Sequence, residues 1–281
     1  MAEPHTSGLS AHGYIAIAEL VVYPIALVIS VFNCWRHRSN RRTGWIYLSI
    51  FCICRIVASA LVIAAEKSSD PSTGVIVAEM IVSNIALTPL LLAALGFLTT
   101  SAQLTLGETM PKILTKLLHI SRLVLTAAIV LGIVGGVDLA NNGASQTGHT
   151  LSRVSVILIT VVFVFLTFLS LYFLVFARTQ SHSRTLVLGV MVSLPFLLVR
   201  IIYSLLYSFS SSTANKFSTL TGDWKIYLGM DVVMEFVVLA VLTATGLVLQ
   251  MYGRRETILH VGSLSAYDME NSHSDLQGSS K

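Results

Sequence analysis

The run Ile226–Met251, IYLGMDVVMEFVVLAVLTATGLVLQM, is apolar over a length that crosses a bilayer, yet it contains two acids, Asp231 and Glu235. A helix needs about 20 apolar residues to cover a hydrocarbon core of about 30 Å. A carboxylate placed there costs roughly 2.5–3.5 kcal/mol even on lenient insertion scales, so it faces protein and a partner. The two acids are four residues apart and share one helix face. Any fold for this chain must therefore bring cations to that face from other spans.

Six further runs meet the same length criterion: Gly13–Trp35, Gly44–Ala65, Val75–Thr99, Arg122–Ala140, Val154–Ala177 and Thr185–Ser208. Only 11% of residues are charged, against about 25% in a soluble domain, and no polar segment is long enough for a separate soluble domain. The sequence predicts an all-α, polytopic membrane protein, a bundle of seven transmembrane helices. Residues 1–12 read as an external polar tail, 13–252 as the transmembrane domain and 253–281 as a Ser-rich, disordered cytosolic tail. With no Lys/Arg-rich stretch before its apolar run, the first span reads as an uncleaved anchor.

The charge of +4 lies in the loops and reads as topology, not as nucleic-acid binding. Seven spans put the termini on opposite sides. Arg36, Arg38, Arg41, Arg42, Lys112, Lys116, Arg122, Arg178, Arg184, Arg254, Arg255 and Lys281 share one side, twelve in all; Lys67, Arg153, Lys216 and Lys225 share the other. The positive-inside rule then places the N-terminus outside and the C-terminus in the cytosol. Between the third and fourth spans, PKILTKLLHIS reads as a short interfacial helix opened by Pro111, while NNGASQTGH reads as a flexible loop. Trp35, Trp45 and Trp224 fall where an aromatic belt would lie. Pro24, Pro89 and Pro195 fall inside spans as kink positions.

Partners for the two acids come from depth, at about 1.5 Å per residue. Glu19 lies about 9 Å below the outer end of the first span, Glu79 about 6 Å down the third, and Asp231 and Glu235 about 8 and 14 Å down the seventh. Arg55 and Arg200 stop about 16 and 12 Å short of the outer ends of theirs. All six can meet in one cavity in the outer half. Four acids face two arginines, whose planar fork suits carboxylates. Consecutive antiparallel helices are usually neighbours. Arg200 is therefore expected on Glu235 and Arg55 on Glu19, leaving Asp231 and Glu79 as spare acids toward the outer mouth. The cluster is either a structural polar network or a binding or proton-handling site.

Cys52 and Cys54 read as buried packing, and Cys34 lies at the cytosolic boundary, open to palmitoylation. The histidines are placed in loops, tails and interfacial segments, and neither a metal site nor a cofactor is implied.

The strings AELVVYP, ICRIVASALVIAA, NIALTPLLLAALGFL, PFLLVRIIYSLL and MDVVMEFVVL, in this order and spacing, resemble an uncharacterised family of fungal seven-span integral membrane proteins over about residues 10–252. The resemblance implies a fungal membrane protein without an established activity. Three function classes follow. One is a receptor- or transporter-like bundle that binds a small amphiphilic or lipidic ligand in its polar cavity. The third span ends in TTSAQ where a G-protein-coupled receptor would have D/E-R-Y, and the seventh lacks N-P-x-x-Y and a mid-span lysine. A central arginine followed by an early acid, in spans 2–3 and again in 6–7, hints at a 3+1+3 repeat. A second class is a membrane-embedded terpene-cyclase-type enzyme using a buried acid such as Asp231, Glu235 or Glu19. A third is a structural or lipid-handling protein. The expected partners are the lipid bilayer and a small amphiphile; the sequence leaves the membrane compartment and oligomeric state open.

Overall fold

A computed structural model describes residues 10–36, 43–68, 73–106, 111–142, 146–176, 181–209 and 224–248. Each segment is helical: α1 (Ala11–Arg36), α2 (Thr43–Lys67), α3 (Thr73–Leu106), α4 (Lys112–Asn142), α5 (Gln146–Phe176), α6 (Ser181–Phe209) and α7 (Trp224–Val248). All seven are long and apolar enough to cross a membrane, which makes this an integral multi-pass membrane protein. Helices are the natural solution, because a chain in hydrocarbon must satisfy its backbone groups within itself.

The order of packing follows from how each helix distributes its apolar surface. Helix α3 is apolar on every side, as a fully surrounded helix must be; 78% of its most apolar window is buried, against 22% for α1 and α4. It forms the centre, packed against α2, α4, α5 and α6. Chain neighbours pack on one another around it. Helix α7 closes the ring between α6 and α2: a Cβ on Gly189 of α6 would strike Thr245, and one on Gly246 of α7 would strike the Trp45 ring of α2. A Cβ on Gly96 would come within 2.9 Å of the Gly44 backbone, so α2 and α3 touch main chain to main chain. Small residues at such crossings are how membrane helices gain dispersion contact. Outward faces are apolar too; Tyr14, Val21, Ile25, Val28 and Phe32 form one exposed stripe along α1, a lipid-facing surface.

Several sequence expectations change here. PKILTKLLHIS is not a separate interfacial helix: Lys112 onward is the first part of α4, which runs unbroken to Asn142. Nothing in those residues breaks a helix after Pro111, whose missing N–H suits a helix start. Helices α4 and α5 also take up most of NNGASQTGH, reaching Asn142 and restarting at Gln146. The added turns place His12, His119 and His149 on helices. Trp45 is not an interfacial residue. It is 2% exposed and meets Phe97 edge-on, ring centres 5.6 Å apart. Trp35 and Trp224 are exposed. The three prolines stand inside α1, α3 and α6, which continue through them. Of the external tail expected over residues 1–12, Ala11 and His12 already belong to α1; residues 1–9, the 37–42 loop and the cytosolic tail lie outside the described residues.

Candidate functional site

Helix α7 supplies both acids of the site and carries a local irregularity that aims them. Between Leu228 and Val232 it opens into one π-helical turn, with the Val233 N–H bonded to the Leu228 carbonyl. Such a turn widens the helix by a residue and often marks a functional position. Asp231 lies inside it and Glu235 follows in regular helix, so residues four apart come closer to the same azimuth than an α-helix would allow. Both carboxylates are fully buried.

Arg55 reaches them from α2 and Arg200 from α6. Arg200 donates from Nε to Glu235 Oε1 at 2.7 Å and also pairs with Asp231 Oδ1. Arg55 donates from Nη2 to Asp231 Oδ2 at 2.9 Å and from Nε to Glu235 Oε2. Each arginine therefore holds both acids, and each acid both arginines. The result is an electroneutral ring of four charges. A guanidinium has five donors in a fixed fork, which lets one arginine serve two carboxylates. Arg200 uses two of its other donors on the Ser204 hydroxyl at 2.9 Å and the Ser83 carbonyl at 3.3 Å, tying α3 to the ring.

Glu19 of α1 stands at the rim. Its Oε1 is 3.7 Å from Arg55 Nη1, an ion pair without a hydrogen bond, and its Oε2 accepts from Ser59 at 2.6 Å. Three carboxyl groups thus meet two guanidiniums, and Glu19 is the acid outside the ring. Four side-chain atoms here are buried and make no hydrogen bond within the described residues: Glu19 Oε1, Arg55 Nη1, the Tyr23 hydroxyl and Asp231 Oδ1, the last held by its ion pair with Arg200. Glu19 and Tyr23 are one helical turn apart, and both line a cleft of about 370 Å³ between α1 and α7. Its other walls include Tyr14, Val22, Val233 and Phe236. All are apolar or aromatic and at least partly exposed, so the cleft faces the lipid side.

Of the six residues singled out from sequence, Glu19, Arg55, Arg200, Asp231 and Glu235 come together. The expected contact between Arg200 and Glu235 is present. The expected ion pair between Arg55 and Glu19 is present too, at 3.7 Å, but Asp231 and Glu235 hold Arg55 more closely. Asp231 is consequently not a spare acid at an outer mouth but a corner of the ring, because each guanidinium serves both Asp231 and Glu235. Glu79 is fully buried rather than near a mouth and accepts a hydrogen bond from Ser83 at 2.8 Å. Sequence reasoning missed Tyr23 and the serines Ser59, Ser83 and Ser204. Ser59 and Ser204 each follow an arginine by four residues, a spacing that places a hydroxyl on the same face and was legible in principle.

Compared with known proteins, residues 9–252 match a family described as a domain of unknown function (DUF7702). No protein of curated function matches the chain.

Proposed function

We propose that this chain, which belongs to the DUF7702 family, is a receptor- or transporter-like membrane protein whose ligand is an amphiphile with a hydroxyl head, entering sideways from the bilayer between α1 and α7. One observation carries the reading: Glu19 and Tyr23, which line an apolar cleft, each bury an oxygen that makes no hydrogen bond within the described residues, and Arg55 Nη1, also without a hydrogen bond, lies 3.7 Å from that Glu19 oxygen. Small-molecule sites have this composition, mostly apolar with a few convergent polar groups. A single ligand hydroxyl can donate to Glu19 Oε1 and accept from Arg55 Nη1 or Tyr23, which satisfies groups that are expensive to leave unpaired in a dry interior. The cleft volume of about 370 Å³ holds a head and the first carbons of a chain, with the rest lying along α1.

The ring of Arg55, Arg200, Asp231 and Glu235 has a different task. It fixes the positions of α2, α6 and α7 and holds Arg55 Nη1 toward the cleft. In this scheme an acid-catalysed cyclisation by Asp231 or Glu235 is disfavoured, because each is shared by two guanidiniums and neither lines the cleft. The charge bias of the loops supports an orientation in which the mouth opens to the outer leaflet.

A photoreactive long-chain alcohol in proteoliposomes tests the reading. It should label peptides of α1 and α7, and Val22→Trp, which fills the cleft from its wall, should reduce labelling at least fivefold while leaving the melting temperature near wild type. Equal labelling of wild type and Val22→Trp, or labelling spread evenly over all lipid-facing helices, would overturn it.

A further inference from the structure

A second cavity lies far from the charge ring. It is lined by Thr99 and Gln103 of α3 and by Lys112, Thr115, Lys116, His119 and Arg122 among the α4 residues, and measures about 590 Å³. Thr99 is sixteen residues beyond Ser83 on α3, about 24 Å along the helix, so this cavity sits toward the opposite end of the bundle. We propose that it binds the phosphate headgroup of an anionic phospholipid. The inference is independent of the α1/α7 cleft.

The chemistry of the lining points to an anion. Its charged members are cations, and no Asp or Glu is among them. Arg122 is half-buried and anchored, donating from Nη2 to the Thr99 hydroxyl at 3.1 Å. Its Nε is buried and makes no hydrogen bond within the described residues. A guanidinium fixed at one donor and open at another is prepared for a phosphate oxygen. Lys112 and Lys116 add mobile point charges on exposed stems.

The geometry of α4 points to a lipid as the source of that phosphate. At 100° per residue, Lys112, Lys116 and His119 form one stripe. On one side of it lie Leu118 and Arg122, turned inward; on the other lie Ile113, Leu117 and Ile120, between 40% and 72% exposed. The basic stripe therefore borders a lipid-facing apolar stripe, and acyl chains attached to a bound headgroup would run down Ile120 and Leu123. Helix α4 also has length to spare. Its 31 residues extend about 46 Å, well beyond a hydrocarbon core of about 30 Å, so its first turns reach the headgroup layer. Basic pockets between membrane helices recognise such headgroups.

The full chain in nanodiscs of equimolar phosphatidylglycerol and phosphatidylcholine provides the test, with tightly retained lipid counted by native mass spectrometry. Wild type should retain phosphatidylglycerol over phosphatidylcholine by on the order of a hundredfold, at about fivefold for each of the three cations. Lys112→Gln with Lys116→Gln, both on exposed positions and harmless to folding, should weaken retention roughly thirtyfold, at about fivefold per cation near an anionic surface. Arg122→Gln should abolish the preference, and Arg122→Lys should restore part of it. Equal retention of the two lipids by wild type, or an undiminished preference in the double-lysine variant, would overturn the proposal. Binding of sn-glycerol 3-phosphate as tight as that of the lipid would refute the lipid as source.

Discussion

Replacing Arg200 with Met should damage the protein more than replacing Arg200 and Glu235 together. In the wild type, Glu19, Asp231 and Glu235 face Arg55 and Arg200, one acid more than the arginines. Arg200→Met leaves Arg55 alone among three buried carboxyl groups and removes the donor that Arg200 gives to the buried Ser204 hydroxyl. Breaking a buried pair by removing one member costs about 3–5 kcal/mol, a large part of a folding stability of about 5–15 kcal/mol. At about 2–4 °C per kcal/mol for a chain of this size, the melting temperature should fall by about 6–20 °C. Glu235→Met added to Arg200→Met restores the original excess of one acid over the arginines. Arg55 then sits between Asp231 and Glu19, both already within its reach. Buried ion pairs replaced by apolar residues of similar volume are often neutral, so the double variant should melt several degrees above the Arg200→Met single. The coupling should be about 1–3 kcal/mol, within the range for residues in one network. Thermal denaturation of the four proteins of the cycle in one detergent, read by loss of the monodisperse chromatographic peak, gives the comparison. A double variant that melts no higher than Arg200→Met would refute the shared ring.

Two further predictions concern the frame that holds the ring. Gly246→Ala should destabilise by about 1–3 kcal/mol, the usual penalty of overpacking, because its Cβ would strike the buried Trp45 ring. Gly74→Ala, where a Cβ meets nothing within 4 Å, should be neutral in the same assay; equal effects would refute the close α2/α7 crossing. For topology, a cysteine placed at Ser39 should be labelled by an impermeant maleimide only after cells are opened, as the positive-inside bias of the loops requires. Labelling in intact cells would reverse the orientation.

The sequence revealed most where one physical requirement dominated. Apolar length announced seven spans, and the expense of charge in hydrocarbon announced that Arg55, Arg200, Asp231, Glu235 and Glu19 must meet. Depth along adjacent antiparallel helices was enough to pair Arg200 with Glu235. It failed for Asp231 because it gave each arginine one acid, whereas each guanidinium here serves both Asp231 and Glu235; no residue in LGMDV announces the π-helical turn at Leu228–Val232 either. For Arg55 it found Glu19 but missed the closer acids of α7, because chain adjacency favoured α1 whereas α7 returns to lie against α2. That closure depends on glycine and Trp45 contacts between helices distant in sequence. The length of α4 was hidden by composition. Lys112, Lys116 and His119 looked like a change of element, but polar residues continue a helix readily where it leaves the hydrocarbon.

The cleft between α1 and α7 is the place to measure. An experimental density map of the protein extracted with its native lipid should show an elongated feature in that cleft. Its polar end should lie within hydrogen-bonding distance of Glu19 Oε1 and Arg55 Nη1, with Asp231 and Glu235 still shared by both arginines. A map in which α1 closes on α7, Tyr14 against Phe236, and Glu19 bonds directly to Arg55 Nη1 would contradict ligand binding and leave the charges a purely architectural network.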